Sequence, residues 1–234
     1  MLSLRDVHAF YGESHVLQGV DLEVAAGQVV CLLGRNGAGK TTTLRAIMGL
    51  TPARRGEVQL AGRAIQGLAP HRIARLGVGF VPEDRRIFPT LSVLDNLRVV
   101  QGKALDGAKA RRWSLERVFS TFPILSDIRH RPGDLLSGGQ QQMLAIARAL
   151  VTEPDVLLLD EPNEGLAPVI VEDIGRLIDD LAGETTLLFT EHKLRFALHH
   201  AQYAYIIEKG RIPFHGPVAE LRDNPDIQRR YLSV

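Results

Sequence analysis

A glycine-rich octapeptide has the spacing that proteins use to hold a row of phosphates. GRNGAGKT, at 34–41, fits the pattern G-x-x-x-x-G-K-[ST], with a buried apolar run before it and a helical spacing of apolar residues after it. Glycines let backbone N–H groups face the phosphates, the lysine adds a positive charge, and the threonine hydroxyl can ligate Mg²⁺. The predicted nucleotide-binding residues are Gly34, Arg35, Asn36, Gly37, Ala38, Gly39, Lys40, Thr41 and Thr42.

Two carboxylates follow a second apolar run, in VLLLDEP at 156–162. Ligands of open α/β sheets bind at the carboxyl ends of the strands, so we expect Asp160 beside the phosphates, where it holds Mg²⁺ through water. We expect Glu161 to face the attacking water, as a general base or as the group that orients the water. Acidic strand ends are common, so it is the presence of GRNGAGKT that makes this pair a predicted catalytic and metal site.

Two further side chains are candidates for contacts with the nucleotide because of their positions next to predicted strands. His192 comes just past a third apolar run, TLLFT at 186–190, where it can hydrogen-bond a terminal phosphate and complete a catalytic set with Lys40 and Glu161. Tyr11 precedes the first long strand. Its ring can stack on adenine or serve as an ordinary core or turn aromatic, and the sequence leaves both interpretations open.

A second glycine turn leads into a helical pattern, LSGGQQQMLAIARAL at 136–150. Such a turn at a helix N-terminus can bind an anion. Ser137 can equally be an ordinary N-cap that stabilises the helix without any ligand. Because this stretch lies in a helical insertion, away from the strand ends that bear Lys40 and Asp160, we predict that a phosphate bound here belongs to another subunit.

The elements that must position these residues alternate between strands and helices. Buried strands are predicted at 29–33, 78–82, 156–160 and 186–190, a hairpin at 203–214, and helices after Lys40, at 70–76 and from Pro168. The alternation favours one α/β domain over 1–234 with a mostly parallel sheet. Residues 85–150 are predicted to be a mostly helical insertion between α/β parts at 1–84 and 151–234.

Composition limits the classes of function. The 234 residues carry a net charge of +1, which gives no reason to expect a nucleic-acid partner. The single cysteine, Cys31, cannot form an internal disulfide. Early charged residues argue against a signal peptide, and no apolar run approaches the ~20 residues of a membrane helix. We therefore expect a cytoplasmic protein that reaches a membrane only through a partner.

Together, these motifs resemble the ATP-binding subunits of ABC (ATP-binding cassette) transporters, from Tyr11 to the final helix. LSGGQ at 136–140 is similar to the signature of that family, which is far more specific than a phosphate loop alone. The resemblance implies a RecA-like P-loop NTPase core, a small antiparallel β portion near the N-terminus and an inserted helical subdomain carrying the signature. It also implies two subunits that sandwich two ATP molecules head to tail. Each ATP then lies between Gly34–Thr42 of one chain and Ser137, Gly138, Gly139 and Gln140 of the other.

Longer stretches narrow the resemblance to importers of branched-chain amino acids, and to the shorter of their two ATPase subunits. These stretches are GRNGAGKTTTLRAIMGL, VPEDRRIFPTLSVLDNL, LLSGGQQQMLAIARAL and DEPNEGLAP. Importers of urea and short amides are closely similar and stay an alternative. Either assignment implies ATP and Mg²⁺, a homologous and non-identical second ATPase, two membrane permeases, indirectly a solute-binding protein, and a place on the inner face of the cell membrane.

An alternative of a different class is a soluble ABC ATPase acting on ribosomes or DNA. Translation types usually hold two cassettes in one chain, and DNA-repair types carry a long coiled-coil insertion. This chain has one cassette and neither addition. The transport interpretation is therefore preferred.

Two positions depart from the family pattern. Glu83, in FVPEDRR, stands where most members have glutamine, in a loop that normally touches Mg²⁺ and the attacking water and contacts the permease. A carboxylate is a good Mg²⁺ ligand, so Glu83 joins Thr41 and Asp160 as a candidate metal ligand. Ala167 stands where most members have aspartate, in a loop that couples the two sites. The catalytic positions all match, so an active ATPase is expected.

Overall fold

The larger of two sheets carries the strands that end at the predicted site. A computed structural model describes residues 1–101 and 112–232. In spatial order, the six strands of this sheet are Arg211–Pro217 (β10), Tyr203–Glu208 (β9), Val29–Leu33 (β3), Thr186–Glu191 (β8), Val156–Leu159 (β7) and Val78–Val81 (β6). Neighbouring strands are parallel except β10, which forms an antiparallel hairpin with β9. The predicted, mostly parallel sheet is confirmed.

The three central strands are apolar throughout because both faces of the sheet are covered. Every residue of β3, β7 and β8 is buried. Successive residues of β3 face two different apolar clusters: Cys31 belongs to the cluster that includes most of the helices, whereas Val30 and Leu32 belong to the other. A strand covered on both faces reads as a continuous hydrophobic run, which is why the sequence located these strands.

The second sheet is the antiparallel portion expected near the N-terminus. Its strands are Leu2–Tyr11 (β1), Ser14–Val24 (β2), Arg55–Leu60 (β4) and Arg63–Ala64 (β5), in the order β2-β1-β4-β5. All of the neighbouring strands pair antiparallel. The sheet packs on the β3 face that bears Val30 and Leu32, so it covers the core beside the glycine-rich loop.

Helices cover the sheet and follow its strands. Outside the insertion they are Lys40–Ile47 (α1), Pro70–Arg75 (α2), Pro168–Leu181 (α7), Leu194–His200 (α8), Val218–Arg222 (α9) and Pro225–Leu232 (α10). The helices predicted after GRNGAGKT, at 70–76 and from Pro168 are all present. Within the described residues, no helix combines the length and the apolar character needed to cross a membrane.

Between β6 and β7 the described residues form helices and one isolated bridge, that of Ser92 with Pro132. The helices are Val93–Arg98 (α3), Leu115–Thr121 (α4), Pro123–Asp127 (α5) and Gly138–Leu150 (α6), with a 3-10 turn at Gly133–Leu135. α6 shares one apolar core with the sheet, since Leu144 clusters with Leu157 and Phe189. The helical insertion was predicted over 85–150, and its stretch 102–111 lies outside the described residues. Its two boundaries stay a prediction.

One side chain joins α6 to the loop that follows β6. Arg148 donates a hydrogen bond to the main-chain oxygen of Arg86, and its guanidinium lies 5.0 Å from the centre of the Phe88 ring. In the same loop, Arg85 and Arg86 both have positive φ angles, 62° and 47°, which cost conformational energy for residues other than glycine. The loop at 82–88 is therefore attached to the side of α6.

Candidate active site

Three neighbouring strands bring the predicted residues to one edge of the larger sheet. The glycine-rich loop follows β3, Asp160 and Glu161 follow β7, and His192 follows β8, which lies between them. A cleft of about 520 Å³ opens at this edge. Its lining residues are Val16, Asn36, Gly37, Gly39, Lys40, Thr41, Thr42, Glu83, Glu161 and Glu164.

The glycine-rich loop depends on backbone geometry that side chains would obstruct. A Cβ atom on Gly34 would lie 2.5 Å from the carbonyl oxygen of Ile207. Gly39 has a φ of 118° and is the N-cap of α1, where no side chain makes a capping hydrogen bond. The first N–H groups of a helix without a side-chain cap are open to an anion, and the helix dipole favours one there. Arg35, Asn36 and Gly37 form the exposed tip of the loop.

Lys40 is almost fully buried and is held by oxygens on three sides. Its Nζ donates hydrogen bonds to the carbonyl oxygens of Gly34 and Arg35, at 2.8 and 3.2 Å. It also lies 3.0 Å from Oε1 of Glu161. The lysine therefore pairs with the carboxylate that was predicted to face the attacking water.

Asp160 is buried at the end of β7 and accepts hydrogen bonds from two threonines. Thr41 Oγ1 donates to its Oδ1 at 3.1 Å, and Thr190 Oγ1 donates to the same atom at 2.8 Å. Burial raises the pKa of Asp160, and the two hydroxyl hydrogen bonds act against that rise. The hydroxyl of Thr41 and the carboxylate of Asp160 therefore lie together, which fits a site where Thr41 would bind Mg²⁺ and Asp160 would hold the metal through water.

Glu161 lies between a lysine and a histidine in a strained main-chain conformation. Its φ is 43°, and its N–H donates to Thr190 Oγ1 at 2.9 Å. Burial acts to raise its pKa, but the hydrogen bond and charge of Lys40, followed by those of His192, outweigh burial and lower the pKa. The two neighbours therefore favour the charged form of the carboxylate, and each of its oxygens is engaged by one of them. Strain of this kind in a non-glycine residue is typical of functional sites.

His192 completes a row of side chains along the sheet edge. Its Nδ1 is 2.9 Å from Oε2 of Glu161, and its Nε2 is 3.7 Å from Glu164. Ligand atoms of Glu161, Glu164 and His192 all lie within 4.8 Å of one another, which is close enough to share a cation. Two ammonium groups lie at the edges of this cluster: Lys40 Nζ is 3.0 Å from Glu161, and Lys193 Nζ is 3.4 Å from Glu164.

Glu83 lines the same cleft and is surrounded by negative charge. It follows β6 and lines two adjoining cavities, one with Lys40 and the other with Asp160. Burial, and then the charges of Glu161, Asp160 and other carboxylates, raises its pKa. A cation in this space would relieve the repulsion, so the donor set fits a candidate metal ligand.

Tyr11 is not among the residues that line the cleft. The ring of Tyr11 is 46% exposed, and its hydroxyl accepts a hydrogen bond from Thr51 at 3.1 Å. Val16, rather than Tyr11, lines the cleft. Ala38 and Thr42 are buried. Stacking of adenine on Tyr11 stays a prediction.

The second glycine turn has the geometry of a complete helix cap. Ser137 is the N-cap of α6, its Oγ accepts from Gln140 N–H at 3.3 Å, and Gln140 Oε1 accepts from Ser137 N–H at 2.9 Å. Gly139 is packed so closely that a Cβ would lie 2.8 Å from Cγ1 of Ile170. None of the residues 137–140 lines the cleft beside Lys40. Ser137 is thus confirmed as the N-cap of α6. Its contact with a phosphate held by another subunit stays a prediction.

Sequence reasoning missed two side chains that organise this edge. Thr190 joins Asp160 to the main chain of Glu161, and Glu191 is fully buried behind His192. A polar pair at the end of an otherwise apolar strand, TLLFTE, was the available signal. The partners of both residues depend on strand register, since Leu159 lies opposite Phe189 and places Asp160 beside Thr190.

Comparisons with known proteins place this chain among relatives of similar length. A family model described as ABC transporter matches residues 17–164. The chain is 39% identical over 233 residues to the high-affinity branched-chain amino acid transport ATP-binding protein BraG of Pseudomonas aeruginosa, covering 99% of both chains. It is 36% identical over 232 residues to the lipopolysaccharide export system ATP-binding protein LptB of Escherichia coli, covering 99% of this chain and 96% of LptB.

Solved structures show the same fold. One is a dimeric ATP-binding cassette in a post-hydrolysis state with ADP and Pi, which is 27% identical and has a TM-score of 0.82 over 93% of this chain and 99% of that one. Another, described as the ATP-binding subunit of an ABC transporter, is 27% identical with a TM-score of 0.83, over 95% of this chain and 92% of that one.

Proposed function

Because this chain belongs to the ABC transporter family, as an ATP-hydrolysing subunit with the P-loop NTPase fold, we propose that it powers solute import through a membrane permease. The observation that carries this proposal is the row Lys40–Glu161–His192 beside the glycine-rich loop, with contacts of 3.0 and 2.9 Å. It supplies a phosphate-binding cation, an ionised base and a polar side chain next to one cleft.

In the proposed site, the phosphates of ATP would lie on residues 34–42, and Thr41 and Asp160 would hold Mg²⁺, with Glu83 as a further candidate. Bound there, Mg²⁺ would neutralise phosphate charge and stabilise the leaving group. Lys40 moves its positive charge from Glu161 to the terminal phosphates. This exchange frees the Glu161 carboxylate to accept a proton from the attacking water, while His192 hydrogen-bonds the terminal phosphate.

The proposed partners follow from family membership and from the resemblance of the signature. A second, homologous cassette presents its Ser137–Gln140 equivalent to this ATP, and residues 137–140 of this chain serve the ATP of that partner. Two permease subunits hold the pair at the cytoplasmic face of the membrane, and a solute-binding protein delivers the cargo. The antiparallel sheet, the helices of the insertion and the cleft are all consistent with this arrangement.

We propose branched-chain amino acids as the solute. Support comes from the BraG similarity and from Glu83 in VPEDRRIF, which resembles the amino-acid subgroup. LptB has 36% identity, close to the 39% of BraG, so lipopolysaccharide export is a second candidate. Urea and short amides are the third.

Replacement of Glu161 by glutamine tests the catalytic part. The variant is expected to bind ATP as the parent does, to hydrolyse it at least about 100-fold more slowly, and to accumulate an ATP-bound dimer. Equilibrium binding, phosphate release and size-exclusion chromatography measure these three quantities. Hydrolysis at the parent rate would remove Glu161 as the essential carboxylate.

The transport part is tested in cells that carry only the Glu161→Gln chain. Uptake of labelled leucine, isoleucine and valine is expected to be lost while urea uptake and the lipopolysaccharide of the outer membrane stay normal. A tagged wild-type chain is expected to co-purify with a permease and a second ATPase. Recovery with ribosomes instead would overturn the transport proposal.

A further inference from the structure

One fully buried carboxylate at the edge of the sheet has no part in the chemistry described so far. Glu191 is the last residue of β8, and its side chain is 0% exposed. Acidic side chains are rarely buried in this way, because removing a carboxylate from water is unfavourable. Burial raises its pKa, and the N–H groups of Lys193 and His192 and the amide of Asn163 act against that rise.

One oxygen of this carboxylate holds the turn that carries His192. Oε1 of Glu191 accepts hydrogen bonds from the N–H groups of His192 and Lys193, both at 2.7 Å. The same turn brings Nδ1 of His192 to 2.9 Å from Glu161. The main-chain oxygen of Glu191 also accepts from Gly34 N–H at 3.1 Å, at the start of the glycine-rich loop. Glu191 thus connects two of the three loops that form the site.

The other oxygen, Oε2, lies beside Asn163 of the loop that follows β7 and accepts no hydrogen bond among the described residues. Within the described part of the chain, Glu191 Oε2 is buried and has no hydrogen-bond partner, and the same is true of both amide atoms of Asn163. Asn163 is 1% exposed and lies two residues after Glu161. Its amide lies near enough to stabilise the charged carboxylate, although no hydrogen bond of ordinary geometry joins them. Buried polar groups rarely stay unpaired, since each one costs free energy.

We propose that Glu191 is a positioning residue for ATP hydrolysis. Its carboxylate holds His192 against Glu161, and its second oxygen lies beside the amide of Asn163, in the loop that carries Glu161. The position of His192 then depends on the position of the loop that carries Glu161. This inference rests on the proposed roles of Glu161 and His192.

A double-mutant cycle on the full-length chain tests the proposal. Glu191→Met removes both acceptor oxygens at similar side-chain length, and Glu191→Gln keeps one. Glu191→Met is expected to lower kcat for ATP hydrolysis by about 10-fold or more with KM changed less than about 2-fold, because small misplacements of catalytic groups are costly. Glu191→Gln is expected to stay within about 3-fold of the parent.

The decisive comparison is with His192→Ala. If Glu191 acts through His192, Glu191→Met combined with His192→Ala is no slower than His192→Ala alone. Cys31→Ala, which changes a buried residue of β3 opposite Phe189 of β8, is the control, and any loss of rate that it causes is expected to multiply with the loss in His192→Ala. If Glu191→Met does not fold, Asn163→Ala replaces it in the cycle with the same expectation.

The outcomes separate this inference from the proposed function. If the two losses of kcat multiply in the double variant, the positioning role of Glu191 is wrong. The same holds if Glu191→Met leaves kcat unchanged. Neither result affects the proposed function. An unchanged rate in His192→Ala itself removes His192 from the proposed mechanism, and the role of Glu191 is lost with it.

Discussion

Two helices of this chain begin at glycine-rich turns, and they begin in opposite ways. α1 starts after Gly39, which has no side chain to cap the helix. α6 starts after Ser137, whose capping box with Gln140 is complete. The first turn leaves N–H groups that an anion can satisfy, whereas the second is satisfied by its own residues. The first turn therefore leaves room for an anion, and the second is capped by its own side chains.

The two turns also differ in the charge that surrounds them. Carboxylates crowd the first, and Lys40 is paired with Glu161. The second lies beside a cation, since a Cβ on Gly138 would be 3.0 Å from Nη1 of Arg85. At the first turn, Glu161 pairs with Lys40 when no phosphate does so. At the second turn, the positive charge of Arg85 would attract a phosphate of a partner subunit.

The largest expected difference between the turns is in nucleotide affinity. Lys40→Ala is expected to weaken ATP binding at least about 100-fold, because it removes a buried charge contact. Ser137→Arg is expected to leave ATP binding by the single chain within about 2-fold and to abolish hydrolysis by the pair. Equilibrium binding and phosphate release measure the two effects.

Ser137→Thr is the matched control for that experiment, because it keeps the capping hydroxyl and is expected to retain hydrolysis. We expect the Lys40 turn to bind the nucleotide of its own chain and the Ser137 turn to contact the nucleotide of a partner. If Lys40→Ala and Ser137→Arg weakened ATP binding equally, this division would be wrong.

A smaller effect separates the two glycines of the second turn. Gly139→Ala places a methyl group 2.8 Å from Ile170 Cγ1, and we expect it to lower the free energy of unfolding by about 1–3 kcal/mol. Gly138→Ala meets only the flexible end of Arg85, and we expect a change within about 0.5 kcal/mol. Urea unfolding of the two variants gives the comparison, and equal losses would show that packing on α7 does not fix this turn.

The smallest expected effect concerns the charge around the first turn. Burial and neighbouring carboxylates raise the pKa of Glu83, so the ionised side chain destabilises the native state. Glu83→Gln is therefore expected to raise the free energy of unfolding near neutral pH by less than about 1 kcal/mol, because solvent screens the charge of this exposed side chain. Urea unfolding over a range of pH measures the change. The gain should vanish as the pH falls below the usual pKa of glutamate, where the native carboxyl is already protonated. A gain that grows on acidification would contradict this account.

Sequence patterns were sufficient for the parts of the fold that rest on local chemistry. β3, β7 and β8 are continuous apolar runs, and GRNGAGKT is a local motif between strand and helix. That Thr41 lies near Asp160, far away in the chain, followed from the rule that parallel strands end at one edge.

Other features depend on contacts that no local pattern shows. α5, α8 and α9 have five, seven and five residues, and helices this short are stabilised by packing rather than by propensity. The bridge made by Thr190 and the buried carboxylate of Glu191 depend on the register of β7 against β8. The hydrogen bond between Tyr11 and Thr51 likewise joins the end of β1 to the loop that follows α1.

The bond between Arg148 and the main chain of Arg86 has a mechanical consequence. Arg148 lies near one end of α6 and Ser137 at the other, about 16 Å away at 1.5 Å of rise per residue. Over that length, a rotation of about 5° at the Arg148 end carries the far end through about 1.4 Å. A displacement of the loop at 82–88 would therefore be passed to the Arg148 end of α6, and the other end of that helix carries the glycine turn at Ser137.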